Sequence, residues 1–560
     1  MRWLIALSLL FVLSVQAAPA PGQAAVASAH PLATEAGFEI LDQGGNAFDA
    51  AVAVAAALSV VEPYSAGMGG GGFWLLHRQS DGKQVMVDAR ETAPGAASAD
   101  MYQDDTGKVI RDRAINGALA AGIPGQAAAF VYLAKHYGTL PLSTTLAPAI
   151  RLARDGFIVE QHYRTLAAYR VEVLNRYPAA AAVFLDHGKV PDQGYRLHQP
   201  DLAHTLEALA AQGRAGFYQG PVAEKLVKGV RQAGGIWTEQ DLNNYRVKER
   251  RPIIGTFRGG RVVSAPPPSS GGIVMLEALN ILSQFNGGDI SEDLLPHLAV
   301  EAMKRAYQDR GRYLGDPDFV DIPVDKLLSN RYAKQRAAGI DLDNATPSSE
   351  LGEPIGVEEG FHTTHLSVLD AEGNRVAATL SINLPFGSGF MPAGTGVLLN
   401  NEMDDFSAKP GSPNAYGLVG SETNAIAPGK RPLSSMTPTF VEFGDRIAIL
   451  GTPGGSRIIS MVMLGVMEAA AHKPVRDWVS RVRFHHQYLP DEVEAEPAFL
   501  DTPAAKGLRL RGHEVVSTGR AYGNMQAILW NTESGEVTAA SDPRGIGQAT
   551  VRAVNADAHP

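Results

Sequence analysis

The sequence predicts an α+β protein whose sheets are covered by helices. Strand-like runs at both ends of the chain flank a long, mostly helical middle. The 560 residues are 45% hydrophobic and 19% charged, which is globular composition with ample material for a large core. No internal repeat is evident. A formal net charge of −10, with no long run of lysine and arginine, argues against nucleic acid as a partner and for small-molecule chemistry.

Residues 1–17 read as a signal peptide. Arg2 supplies the positive charge, and Leu4 to Val15 is apolar apart from Ser8 and Ser14. Val15-Gln16-Ala17 offers a cleavage site, and Ala18-Pro19-Ala20 is a second candidate. The run is short for a spanning helix and Pro19, Pro21 and Gly22 follow at once, so removal is expected, leaving no membrane anchor. The expected location is the periplasm. The chain has no cysteine, hence no disulfide and no thiol nucleophile.

Asn46 to Val61, rich in alanine and valine and ending before Pro63, predicts a tightly packed helix. Gly67 to Gly72 reads as close packing or a tight loop. No Gly-Lys-Ser/Thr follows, which argues against a phosphate loop. Phe73–His77 and Gln84–Ala89 predict strands turned by Asp81-Gly82. The middle, roughly residues 125 to 340, reads as mostly helical, broken by turns such as Pro266 to Gly272. Asp341 to Phe361 is polar with little periodicity, a loop of a length usually reserved for function or mobility. A hairpin follows: His365–Leu369, a turn at Glu372-Gly373-Asn374, and Val376–Asn383. Strands and helices alternate from there to the end.

Thr363 stands where the polar segment meets the hairpin. A threonine hydroxyl is a weak nucleophile without a base, but a free α-amino group titrates near ~7.7–8.0 and can accept its proton. A chain break before Thr363 would create both on one residue. The histidine pairs His362/His365 and His485/His486 raise the question of a metal. Adjacent histidines on a strand point to opposite faces and no third ligand is evident, so none is expected.

Several stretches in one order resemble the gamma-glutamyltranspeptidase family. They are Asp42 to Ala47 with Asp49 to Val52, Gly67 to Phe73, Arg90-Glu91-Thr92-Ala93-Pro94 and Leu152 to Phe157. Asn400 to Phe406, Arg431 to Met436, Gly451 to Arg457 and Phe484 to Gln487 continue the series, so the resemblance spans nearly the whole mature chain. It implies an N-terminal nucleophile hydrolase fold, a four-layer αββα sandwich. It also implies a precursor cut between His362 and Thr363 into a large subunit (18–362) and a small subunit (363–560) that stay together as a heterodimer.

By position the resemblance makes Thr363 the nucleophile and Ser381 its supporting hydroxyl. Arg90, Ser434 and Ser435 correspond to groups that hold the substrate α-carboxylate. Asn383, Glu402 and Asp405 correspond to those that hold its α-ammonium. Gly454 and Gly455 correspond to the oxyanion donors. Lys409 to Arg431 resembles a lid over the glutamyl pocket, with Tyr416 as its gating aromatic, which favours small donors such as glutathione. No cofactor and no metal are implied. Three positions depart from common family usage: His362 replaces a polar amide, Ser381 replaces threonine, and Glu402 stands where some bacterial relatives have glutamine.

The expected activity is transfer of the γ-glutamyl group of glutathione and related amides to water, amino acids or dipeptides. One alternative is a cephalosporin-acylase-like amidase acting on glutaryl groups, which would have less use for Glu402 and Asp405. Another is an unprocessed binding protein or pseudoenzyme.

Overall fold

The computed structural model describes residues 20–285, 291, 293–352, 362–409 and 421–554. Two antiparallel sheets lie face to face. The first runs, edge to edge, Gln548–Arg552, Ala24–Ser28, Thr364–Leu369, Arg375–Ser381, Gly71–Arg78, Lys83–Ala89 and Lys248–Arg250. The second runs Val537–Ser541, Gln526–Asn531, Arg446–Gly451, Thr439–Glu442, Gly260–Ser264 and Ile253–Phe257.

Side chains alternate along these strands and so build separate cores. Ala25, Ala27, Phe73, Leu75, Leu369 and Ala377 of the first sheet meet Val263, Phe440, Ile449, Ile528 and Trp530 of the second. Their neighbours Val26, Trp74, Leu76, Leu366 and Val368 face outward onto helices that include Ala47–Val61. On the far side Val262, Val441, Ala448 and Leu450 pack against the helices Gly271–Leu282, Leu294–Tyr313 and Arg457–Ala470. Helix, sheet, sheet, helix: this is the four-layer sandwich that the resemblance implied.

Helix Ala47–Val61 is buried along its whole length, and its small side chains make that close approach tolerable. Asn46 caps it in a capping box with Asp49, a feature typically worth ~0.5–2 kcal/mol. The expected hairpin is Thr364–Leu369 with Arg375–Ser381. Its turn is organised by Asp370, whose Oδ1 accepts from the backbone N–H groups of Glu372, Gly373 and Asn374. Asp370 Oδ2 accepts from the N–H of Ala47, which ties the hairpin to the start of the buried helix.

The middle of the chain departs from the mostly helical reading. Lys248–Arg250, Ile253–Phe257 and Gly260–Ser264 are strands, and they supply one edge of the first sheet and two strands of the second. Lys248-Glu249-Arg250 is a charged edge strand, which conceals its nature in the sequence.

The polar segment is held firmly up to Gly352. Lys304 Nζ donates to the carbonyl of Thr346 (2.6 Å), Ser348 Oγ to that of Tyr488 (2.7 Å), and Tyr488 OH to that of Gly352 (3.0 Å). The signal peptide and Tyr416 of the expected lid lie outside the described residues. No helix among the described residues is long and apolar enough to cross a membrane.

Candidate active site

Sheet register gathers the sequence-predicted residues at one end of the first sheet. Thr364 pairs with Leu380, Ser381 with Gly71, and Gly72 with Ala89. Thr363, Ser381 and Arg90 therefore lie at the same end of the sheet, on three of four consecutive strands, with roughly 14 Å of strand spacing between the first and the last. The glycine run makes this close pairing feasible. A Cβ on Gly70 would lie 2.1 Å from the carbonyl oxygen of Ser381, and one on Gly71 would lie 2.3 Å from that of Ala89.

Ser381 Oγ is the hub of the first cluster. Thr363 Oγ1 donates to it over 3.4 Å and the N–H of Asn383 over 2.7 Å, and it donates to the carbonyl oxygen of His362 over 3.2 Å. Asn383 adopts a left-handed conformation (φ 73°), which asparagine tolerates better than most residues. Its carbonyl accepts from the N–H of His362 (3.3 Å), and its side-chain amide donates to the carbonyl of Asn401 (3.0 Å). Glu402 is thereby held beside the same turn. Next to the nucleophile, Thr364 Oγ1 donates to Glu62 Oε2 (2.7 Å). Burial pushes the Glu62 carboxyl up to about 7, against the pull of hydrogen bonds from Thr364 and Tyr64.

Arg90 centres the second cluster. Its Nη1 donates to Glu402 Oε2 (2.6 Å) and its Nη2 to Asp405 Oδ2, while the carbonyls of Pro432 and Leu433 each accept at 3.3 Å. Leu433 immediately precedes Ser434 and Ser435 in the chain. All of these side chains are buried, with Asp405 the most exposed at 8%. Two carboxylates and the neighbouring Glu91 share one guanidinium, and Glu402 Oε1, Asp405 Oδ1 and Glu91 Oε1 find no hydrogen-bond donor among the described residues. Burial and the negative charge of Glu402 push Asp405 and Glu91 well above the usual carboxylate range, against the pull of Arg90. Three carboxyl groups thus surround one guanidinium, and three of their oxygens are left open to a further donor.

Gly454 and Gly455 form the loop between the strand Arg446–Gly451 and the helix Arg457–Ala470. Both have positive φ, 142° and 59°. Their N–H groups find no protein acceptor among the described residues. A Cβ on Gly451 would lie 2.2 Å from the His365 ring, so this loop emerges beside the nucleophile end of the inner strand.

The histidines are committed elsewhere. His365 contacts Thr379 Oγ1 (2.8 Å) and Ser367 Oγ (3.2 Å), and burial pushes it down to about 3. His485 contacts Ser460 Oγ (2.9 Å) and Gln487 Oε1 (3.1 Å), and burial pushes it down to about 4. Burial, reinforced by Arg520, His162 and Arg170, pushes His362 down to about 3.

One cluster of possible ligands escaped the sequence reading: His297, Glu301 and His513, whose ligand atoms lie within 4.8 Å of one another. These side chains already hold one another and their neighbours through hydrogen bonds and ion pairs. His297 Nδ1 lies 2.8 Å from His513 Nε2, His297 Nε2 lies 2.7 Å from the carbonyl of Asp341, and Arg305 and Lys304 pair with Glu301. The sequence reading also missed Glu62, Asp88 and Arg310. Asp88 Oδ1 accepts from the N–H of Arg90 (2.9 Å), and its Oδ2 accepts from Arg250 and Arg431 (2.7 and 2.6 Å). A charged residue inside an apolar strand or helix, or directly ending one as Glu62 does, is the signal that would have found them.

A threonine at the head of an inner strand of an αββα sandwich, with its hydroxyl engaged by a second hydroxyl, defines the class of N-terminal nucleophile hydrolases. The chain belongs to the gamma-glutamyltranspeptidase family, whose sequence profile, Gamma-glutamyltranspeptidase, matches residues 33–552. The Glutathione hydrolase proenzyme of Escherichia coli (strain K12) is 44% identical over 535 residues, covering 94% of this chain and 91% of the relative. The cephalosporin acylase of Bacillus halodurans superposes with a TM-score of 0.83 at 30% identity, covering 94% of this chain and 95% of that one. The gamma-glutamyltranspeptidase of Helicobacter pylori superposes with a TM-score of 0.56 at 41% identity, covering 58% of this chain and 94% of that one.

Proposed function

We propose that this chain is a proenzyme that cuts itself between His362 and Thr363 and then works as a γ-glutamyltransferase and glutathione hydrolase. The observation that carries the reading is the hydroxyl relay from Thr363 through Ser381 to the carbonyl of His362. Ser381 donates to that carbonyl oxygen and so polarises the carbon that Thr363 Oγ1 attacks. The acyl group moves from nitrogen to oxygen, water hydrolyses the ester, and residues 18–362 and 363–560 become large and small subunits with a free amine on Thr363. Residues 1–17 are read as an export signal, which places the mature enzyme in the periplasm.

In the mature site the Thr363 amine takes the hydroxyl proton. The oxygen attacks the γ-carbonyl of the donor, and the N–H groups of Gly454 and Gly455 hold the oxyanion; losing one such donor typically costs ~2.7–4 kcal/mol. The amine returns its proton to the leaving amide nitrogen, leaving a γ-glutamyl ester on Thr363. Water then releases glutamate, or an amino acid or dipeptide takes the acyl group.

The head group fits the charge at Arg90. A glutamyl α-ammonium supplies the donors that Glu402 Oε1 and Asp405 Oδ1 lack, with Asn383 at the edge of the same turn. The α-carboxylate meets Ser434 and Ser435 and reaches Arg90 by exchange with the acids and carbonyls that hold its guanidinium in the free protein. Hydrogen bonds to charged groups are worth ~1.5–3 kcal/mol each, so a few fix the substrate.

A glutaryl substrate, the alternative raised by the acylase-like fold, has no ammonium to offer those oxygens and is the poorer match. A binding protein without chemistry would have no need of the relay. The test is incubation of purified protein with γ-glutamyl-p-nitroanilide, with and without glycylglycine. Release of p-nitroaniline that glycylglycine accelerates supports the reading, and turnover of the glutaryl anilide alone contradicts it.

A further inference from the structure

Arg310 sits in the last turn of the helix Leu294–Tyr313, 3% exposed. Its Nε donates to Ser270 Oγ (2.8 Å) and its Nη2 to Ser435 Oγ (3.1 Å). Ser270 in turn is fully directed, because its hydroxyl donates to the carbonyl of Ser434 (2.7 Å) and its N–H donates to the same oxygen (2.7 Å).

A guanidinium can only donate. Ser435 Oγ must therefore act as acceptor toward Arg310, and its own proton must point elsewhere. Among the described residues that O–H has no acceptor. The same logic holds one residue earlier, where Ser434 Oγ accepts from the N–H of Met436 (3.2 Å). Two adjacent hydroxyls thus have their acceptor side occupied by protein and their protons free for an anion.

We propose that Arg310 is a positioning residue for substrate recognition: it orients the Ser435 hydroxyl as a donor to the α-carboxylate and, through Ser270, fixes the Ser434-Ser435 backbone. The inference rests on the reading of Ser434 and Ser435 as carboxylate-binding groups. A neutral residue at 310 frees the Ser435 hydroxyl to rotate and removes a cation from beside the carboxylate. Burial already pushes the Arg310 guanidinium down to about 10, with Tyr307 and Asp405 pulling the other way, so an added anion is welcome there.

The experiment uses the processed enzyme in four forms: parent, Arg310→Gln, Ser435→Ala and the double variant. KM and kcat are measured with γ-glutamyl-p-nitroanilide and with 4-aminobutyryl-p-nitroanilide, which has no α-carboxylate. Arg310→Gln should raise KM for the first substrate about tenfold or more with little change in kcat, leave the second substrate unaffected, and add nothing in the Ser435→Ala background. Arg310→Lys and Ser270→Ala should show smaller effects of the same kind, and they carry the comparison if Arg310→Gln fails to mature. An unchanged KM in the Arg310 variants, with Ser435→Ala still impaired, overturns the positioning role alone, as does a full additional loss in the double variant. An unchanged KM in Ser435→Ala removes the carboxylate reading and this inference with it.

Discussion

Ser381 Oγ stands 3.4 Å from Thr363 Oγ1 and 3.2 Å from the carbonyl oxygen of His362, so one hydroxyl touches both the proposed nucleophile and the carbonyl it is proposed to attack. It is fixed there by the N–H of Asn383, whose left-handed backbone turns that donor inward.

Ser381→Ala should therefore slow self-cleavage by roughly 10²-fold, the usual cost of losing a donor to a developing oxyanion. Ser381→Thr should retain the rate, since it keeps the hydroxyl and restricts its rotamers. The appearance of two bands over time on a denaturing gel measures this. Equal rates for Ser381→Ala and the parent would remove Ser381 from the mechanism.

Arg90 pairs with both Glu402 and Asp405 before any substrate arrives. Arg90→Ala leaves two buried acids unpaired, a change that typically costs ~3–5 kcal/mol. The variant should melt earlier than the parent and lose γ-glutamyl turnover, yet still cleave itself. Arg90→Lys should recover part of the stability without the forked geometry. Thermal unfolding read beside the fraction processed checks both halves, and an unaltered melting temperature contradicts the buried triad.

Asp405→Ala should weaken selection for a free α-amino group. The preference for γ-glutamyl over glutaryl anilide should fall by roughly 10- to 100-fold, the value of one charged hydrogen bond. An unchanged preference refutes the ammonium assignment.

Glu62 gives a pH signature. In the folded protein its carboxyl holds a proton up to about 7, whereas the unfolded chain releases it near its ordinary ~4.3. The stability this contributes is complete below that lower value and is lost as pH rises through about 7. Glu62→Gln cannot ionise and still offers Thr364 an acceptor. Its stability relative to the parent should rise between about pH 5 and 8, by an amount on the order of 3 kcal/mol. A difference that stays flat across that range contradicts a buried, protonated Glu62.

Much of this was legible in the sequence because it lies in local pattern. The hairpin behind Thr363 follows from alternation and the Glu372-Gly373-Asn374 turn, and the buried helix follows from its alanines and the cap at Asn46. The edge strands Lys248–Arg250 and Ile253–Phe257 were not legible, because their identity comes from the partner strand and not from their own residues. The direct pairing of Arg90 with Glu402 and Asp405 was hidden for a similar reason. The family resemblance assigns them to opposite ends of a substrate, and only the fold, which brings residues 90 and 405 together, shows that they hold each other in its absence.

The most direct test of self-cleavage is the fate of the bond between His362 and Thr363. Purified parent protein, kept free of proteases, should yield a small fragment of 198 residues and about 21 kDa whose first residue is Thr363; Thr363→Ala should remain one chain, because hydroxyl attack on the preceding carbonyl is then impossible. Mass spectrometry and N-terminal sequencing read both. A fragment that begins elsewhere, or a Thr363→Ala variant that still splits at this bond, contradicts Thr363 as the self-cleaving nucleophile.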